Sequence, residues 1–188
     1  MTGLARGSAP APVNAGTQSR APVLAARLAG EGPLRAANLF ALLLPAALLA
    51  GAWGSQLIGG LVPCEMCHWQ RWPHYAAAVV AALAFLATGR ARLALVVLAA
   101  LLIAASGVTG VLHAGVEYHW WNGFTACTSP VALSGRTAAE RLDALMHQPI
   151  VRCDAAQWTL FGVSLAGFNA LFSIGGALTI LTLMRRAR

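Results

Sequence analysis

The sequence predicts an all-α membrane protein: an antiparallel four-helix transmembrane bundle with a long periplasmic loop that carries a short amphipathic helix. Three observations lead there. Of 188 residues, 58% are hydrophobic and only 10% charged, against roughly a quarter charged in soluble domains. Four apolar stretches approach the ~20 residues that a helix needs to cross a bilayer. All 13 basic residues are arginines, and they flank those stretches instead of forming a basic face. That is the signature of membrane orientation and argues against a nucleic-acid partner.

Residues 1–35 are rich in Ala, Pro, Gly and Ser, with scattered Arg. They lack the apolar periodicity needed to pack and read as a disordered cytoplasmic leader, leaving 36–188 as the transmembrane domain. The first span runs from about Asn38 to Ile58. Its stretch Leu39 to Leu49, followed by Ala50-Gly51-Ala52, also resembles a signal peptide with its cleavage site. The apolar character continues to Ile58, however, and the basic region before it is long for a signal, so an uncleaved helix is expected. Pro45 should kink this helix, which neighbouring membrane helices tolerate.

The second span covers about Pro73 to Ala87, with Trp69 and Trp72 at its entrance, and the third about Leu93 to Leu112. Only Thr88-Gly89-Arg90-Ala91-Arg92 separates them, a tight basic turn that forces antiparallel neighbours. The fourth span runs from about Thr159 to Met184 and is followed by Arg185, Arg186 and Arg188. Small residues at Gly162, Ala166 and Ala170, and at Ser106, Gly107 and Gly110, would let helix backbones approach closely. An even number of spans puts both termini on one side, and the flanking arginines make that side cytoplasmic.

The loop from about Ala114 to Trp158 is too long for a plain connection. Within it, Thr137-Ala138-Ala139-Glu140 reads as a capping box at a helix start. Leu142, Leu145 and Met146 then share one face of a helix suited to a membrane surface, and Pro149 ends it.

The four cysteines fall into two pairs, both on the predicted oxidising side, where disulfides persist. Cys64 and Cys67 form Cys64-Glu65-Met66-Cys67 just before the second span; Cys127 and Cys153 bracket the middle of the long loop. Structural disulfides are one reading. Zinc is another, with His68, His74, His113 or His119 as further ligands, but no second ligand pair has finger-like spacing, and no metal is expected. A third is a membrane-anchored c-type haem carrier, since Cys64-Glu65-Met66-Cys67-His68 satisfies the haem-attachment pattern with His68 as iron ligand. Trp69, Trp72 and Pro73 crowd that site, and Cys127 and Cys153 go unexplained. The redox reading uses all four cysteines, because disulfides pass oxidising power by thiolate attack through mixed disulfides. On a helix starting at the motif, Arg71 lies one turn beyond Cys67, where its charge would favour a thiolate and an anionic acceptor.

Taken together, these motifs resemble the DsbB family, quinone-reducing thiol oxidases of bacterial inner membranes. Pro63-Cys64-Glu65-Met66-Cys67-His68-Trp69-Gln70-Arg71-Trp72-Pro73 is similar to the family's membrane-edge motif. His113-Ala114-Gly115-Val116-Glu117, then Trp120-Trp121 and Cys127, resemble the start of its second periplasmic loop. Cys153-Asp154, Trp158 and the run from Phe161 to Asn169 resemble that loop's end and the opening of the last helix.

The resemblance implies that Cys127 forms a mixed disulfide with a periplasmic DsbA-like thioredoxin-fold oxidase. Cys153 would then exchange with a Cys64–Cys67 disulfide through Cys64. Cys67 would face a quinone (ubiquinone or menaquinone) of the membrane pool, beside Arg71 and with His113 lining the site. Gln70 is given no catalytic role, and Ser164 and Asn169 are expected to make interhelical hydrogen bonds. A four-helix oxidoreductase of the vitamin K epoxide reductase type shares this logic, but the continuous Cys127-to-Cys153 loop and the Cys64-to-Arg71 motif favour the DsbB resemblance.

Overall fold

The computed structural model describes residues 20–123, 137–140 and 151–186. It is mostly helical, with long helices α1 (Arg20–Leu57), α2 (Glu65–Leu86), α3 (Gly89–Glu117) and α4 (Leu165–Arg186). Gly32–Leu57, Gly89–Glu117 and Leu165–Arg186 are each long and apolar enough to cross a membrane. Each helix packs chiefly on two neighbours: α1 and α3 both lie against α2 and α4. Helix α1 begins at Arg20, well before Asn38, so the segment expected to be a disordered leader is helical from there on; residues 1–19 lie outside the described residues. It runs unbroken through Pro33 and Pro45.

The core between the helices is built from small residues. Ala37 and Ala41 on α1, Ala77, Ala81 and Ala84 on α2, Ala99 and Ala100 on α3 and Ala177 on α4 are all buried, with Val96, Ile103 and Ile180 filling the space. A Cβ at Gly110 would lie 2.9 Å from the Ala170 backbone nitrogen and 3.1 Å from the Ala166 carbonyl oxygen, so α3 and α4 meet there backbone to backbone. In lipid, where apolar burial drives little association, such close approach is what holds helices together.

One short hairpin interrupts the helices of the expected all-α fold. Thr159–Leu160 and Val163–Ser164 form an antiparallel hairpin, paired Thr159 with Ser164 and Leu160 with Val163. Its two-residue turn, Phe161-Gly162, has φ of 51° and 78°, the doubly positive geometry that suits the twist of paired strands. Gly162 therefore serves this turn, not helix packing, and the last helix starts at Leu165 instead of near Thr159. Ser164 caps that helix by accepting from the Gly167 N–H at 3.1 Å. Tyr118, just past α3, ties the hairpin down: its phenol donates to the Gly162 carbonyl at 3.0 Å and accepts from the Ser164 N–H at 2.8 Å.

In the loop, the Thr137 N–H donates to Glu140 Oε2 at 2.9 Å and the Glu140 N–H to Thr137 Oγ1 at 3.3 Å, the reciprocal bonds of the expected capping box. The amphipathic face at Leu142, Leu145 and Met146, the stop at Pro149, and Cys127 lie outside the described residues.

Candidate functional site

Helix α2 begins on a cysteine. Cys64 is its N-cap, with extended backbone (φ −81°, ψ 174°), and its sulfur accepts the Cys67 N–H at 3.2 Å. The sulfur thus takes the place that a Ser or Asp oxygen usually fills at a helix start. The three-residue spacing brings Cys67 back onto its partner, and the two sulfurs stand 2.9 Å apart.

Cys153 arrives from the far side of the long loop. It is fully buried and packs with Cys64, Met66 and Val116 in a second small core, with Cys67 and Val151 at its edge. What delivers it is Gln157, four residues on, whose side-chain amide pairs with the backbone of Val62: Val62 N–H to Oε1 at 3.1 Å, and Nε2 to the Val62 carbonyl at 2.6 Å. One side chain acts as a strand's worth of hydrogen bonding and clamps the Cys153 segment beside the residues leading into Cys64. Arg152 and Asp154, flanking Cys153, form a two-pronged ion pair at 2.9 and 2.6 Å.

His113, near the end of α3, completes the cluster. Its Nε2 lies 3.5 Å from Cys64 Sγ and 3.6 Å from Glu117 Oε1. The donor atoms of Cys64, His113 and Cys153 all lie within 4.8 Å of one another, the same proximity that sulfur exchange demands. On its other side, His113 Nδ1 meets Gln70 Nε2 at 2.7 Å. From there a polar chain runs into the helix core: Gln70 Oε1 accepts from Asn169 Nδ2 at 2.9 Å, and Asn169 Oδ1 lies 2.9 Å from His74 Nε2. Ser106 and Ser173 close it, with their hydroxyls 2.9 and 3.3 Å from the same His74 nitrogen. Asn169 thus makes the interhelical bonds expected of it, and Ser164, whose oxygen also accepts at the start of its own helix, hydrogen-bonds the Glu117 carboxylate on α3.

A cavity of about 260 Å³ opens beside the cysteines. Cys64, Cys67, Gln70, Arg71, His113 and Glu117 reach its polar side, and Leu48, Leu49, Leu165, Phe168 and Phe172 furnish apolar walls from α1 and α4. Arg71 is anchored across to α1, donating to Gln56 Oε1 and to the Ala52 carbonyl at 3.3 Å. Cys67 lies in the first turn of α2, ahead of the segment around Pro73 where the span was expected. A hydrogen bond from Cys64 draws its thiol down, burial opposes this, and the Arg71 charge helps. Hydrogen bonding to Cys153 and Cys67, reinforced by burial, pushes the Cys64 thiol up.

The structure therefore brings five of the six candidate residues together: Cys64, Cys67, Cys153, Arg71 and His113. The sixth, Cys127, is outside the described residues. No role in the site was expected for Gln70, Glu117 or Gln157. Of these only Glu117 left a readable signal, an acid one helical turn from His113. The haem reading gains no support: Cys64 and Cys153 are buried against each other, while His68 lies exposed.

No curated protein and no solved structure matches the chain. The family model described as "Disulfide bond formation protein DsbB" matches residues 34–183, which take in part or all of each long helix and the whole described cysteine cluster. A helical membrane protein with three cysteines packed at the head of its helices, matched over that length, belongs to the DsbB family and is an oxidoreductase of disulfide bond formation.

Proposed function

We propose that the protein is a dithiol:quinone oxidoreductase of the bacterial inner membrane that reoxidises a periplasmic DsbA-like oxidase. In this reading α2 is a fourth span, both termini are cytoplasmic, and 36–188 form the working domain. Cys127 takes the partner's electrons through a mixed disulfide, Cys153 passes them to the Cys64–Cys67 disulfide, and Cys67 delivers them to the acceptor. The observation that carries the reading is the burial of Cys153 against Cys64, with Arg71 one turn past Cys67 on the wall of an adjoining cavity. Thiol–disulfide exchange proceeds by attack of one sulfur on another, and burial of a loop cysteine against Cys64 supplies that contact.

The cavity suits a quinone. Its walls are apolar, as expected of a site for a lipid-soluble ring, and its polar end holds a fixed guanidinium and His113. Arg71 and His113 would hold such a ring, and when bound it would supply a sink for two electrons and two protons. The chain's own part is to hold Arg71 by its bonds to α1, so that its charge stays one turn beyond Cys67.

The test is quinone reduction by the purified protein with a reduced DsbA-like dithiol, repeated for each Cys→Ala variant. Each single variant should abolish turnover, and Cys127→Ala should also lose the disulfide-linked complex with a trapped partner. An undiminished complex in that variant would overturn the order of the cysteines. Arg71→Ala should weaken quinone reduction while leaving membrane insertion intact; wild-type quinone kinetics would remove Arg71 from the site.

A further inference from the structure

The two amides beside His113 can be placed only one way round. Gln70 Nε2 stands 3.2 Å from the Met66 carbonyl oxygen, and Asn169 Nδ2 stands 3.1 Å from the Ser106 carbonyl oxygen. A carbonyl only accepts, so both positions must be occupied by NH2 groups. With that orientation, Gln70 Oε1 accepts from Asn169 Nδ2 at 2.9 Å and its NH2 turns to His113 Nδ1 at 2.7 Å. A donor at that distance requires a bare nitrogen. The single proton of the neutral ring is therefore on Nε2, since the partner of one histidine nitrogen decides the state of the other.

What Nε2 faces agrees. Its neighbours are Cys64 Sγ at 3.5 Å and Glu117 Oε1 at 3.6 Å, and the Cys153 backbone also hydrogen-bonds the ring. The Ser164 hydroxyl hydrogen-bonds the Glu117 carboxylate, but its Oε2 is buried without a hydrogen-bond partner among the described residues, so that oxygen has room for a proton.

We infer that Gln70 is a positioning residue: it holds His113 in the Nε2–H tautomer, so that His113 donates to the exchange sulfur Cys64 and leaves proton acceptance to Glu117. The inference rests on the thiol relay proposed above. In that relay the Cys153 thiol gives its proton to the Glu117 carboxylate, and its sulfur electron pair forms a bond to Cys64. The Cys64–Cys67 bond breaks, and Cys67 leaves with the electron pair as a thiolate. Negative charge is shared along the three sulfurs as this happens, and an N–H aimed at the central one stabilises it. A lone pair aimed there would do the opposite. The groups that set this field are Arg71 on α2, His113 and Glu117 on α3, and Cys153 on the loop segment.

The experiment is nitrogen NMR of His113 in the reduced full-length protein in lipid nanodiscs, for wild type, Gln70→Glu and Gln70→Ala. In the wild type, Nε2 should show the protonated signature and Nδ1 the bare one. Gln70→Glu offers Nδ1 an acceptor and should exchange the two signatures. The Cys153-to-Cys64 exchange, followed by rapid trapping of the disulfides, should slow about tenfold in that variant, the value of one hydrogen bond to a charged acceptor. Gln70→Ala should leave the ring without a preferred tautomer. A wild-type His113 protonated on Nδ1 overturns the inference whether or not the variants fold, and so does an unchanged signature in Gln70→Glu. Failure of the wild-type protein to reduce quinone would sink the proposed function instead, while leaving the tautomer result standing.

Discussion

Gln157 and Val62, ninety-five residues apart, are joined by two hydrogen bonds through a single side-chain amide, and this clasp closes the distance between Cys153 and Cys64. Both partners are exposed, so the clasp adds little stability; its effect is to keep one sulfur within reach of another.

Gln157→Ala should leave thermal stability almost unchanged, with a loss of at most about 1 kcal/mol, yet slow Cys153-to-Cys64 exchange several-fold. Rapid acid trapping followed by peptide mapping of the disulfides reads that rate directly. A rate equal to wild type would show that the small core around Cys153 holds the segment unaided.

Gly110→Ala should lower the melting temperature. The new methyl would meet backbone atoms of Ala170 and Ala166 that cannot rotate away, and forced overpacking costs about 1–3 kcal/mol. It would also press on the Asn169 amide, 3.0 Å from that Cβ, and so disturb the chain leading to His113. Gly51→Ala is the matched control, because nothing lies within 4 Å of its Cβ. Equal melting temperatures for the two variants in the same detergent would contradict close α3–α4 packing.

The loop's capping box should be pH-sensitive with a defined sign. Bonds from Thr137, the backbone N–H first, hold the Glu140 carboxyl below its usual range. A lowered value means that the carboxylate form is preferred in the folded turn, so the cap is intact above the ordinary Glu value of about 4.3 and is lost as pH falls through the lowered one. A carbon NMR titration of Glu140 should show the depressed midpoint, and Thr137→Ala, which removes the hydroxyl but keeps the backbone N–H, should move it part of the way back up. An ordinary midpoint in the wild type would mean that the box does not form in solution.

Much of this architecture was legible because it depends on short-range patterns. Apolar runs located the long helices, and the 64, 67, 71 spacing placed two sulfurs and a guanidinium along one helical face. The hairpin escaped because two-residue strands carry no usable alternation, and nothing in Phe161 announces a positive φ. The start of α1 was missed because residues 20–31 have no apolar face to read, although α1 extends through them. Gln70 was overlooked for a different reason. Its meaning lies in partners 43 and 99 residues away, His113 and Asn169, which only the packed helices bring together. Glu117 could have been found: a buried-side acid four residues after a histidine, at the membrane edge, is an uncommon expense of desolvation.

The cap of α2 has a consequence of its own. Its sulfur is both the first hydrogen-bond acceptor of that helix and, in the proposed relay, the atom that trades one sulfur partner for another. In that relay every exchange changes which segment of the chain Cys64 is bonded to. The opening turn of α2 would then be re-anchored with each electron pair passed, a gauge of redox load written into the secondary structure itself.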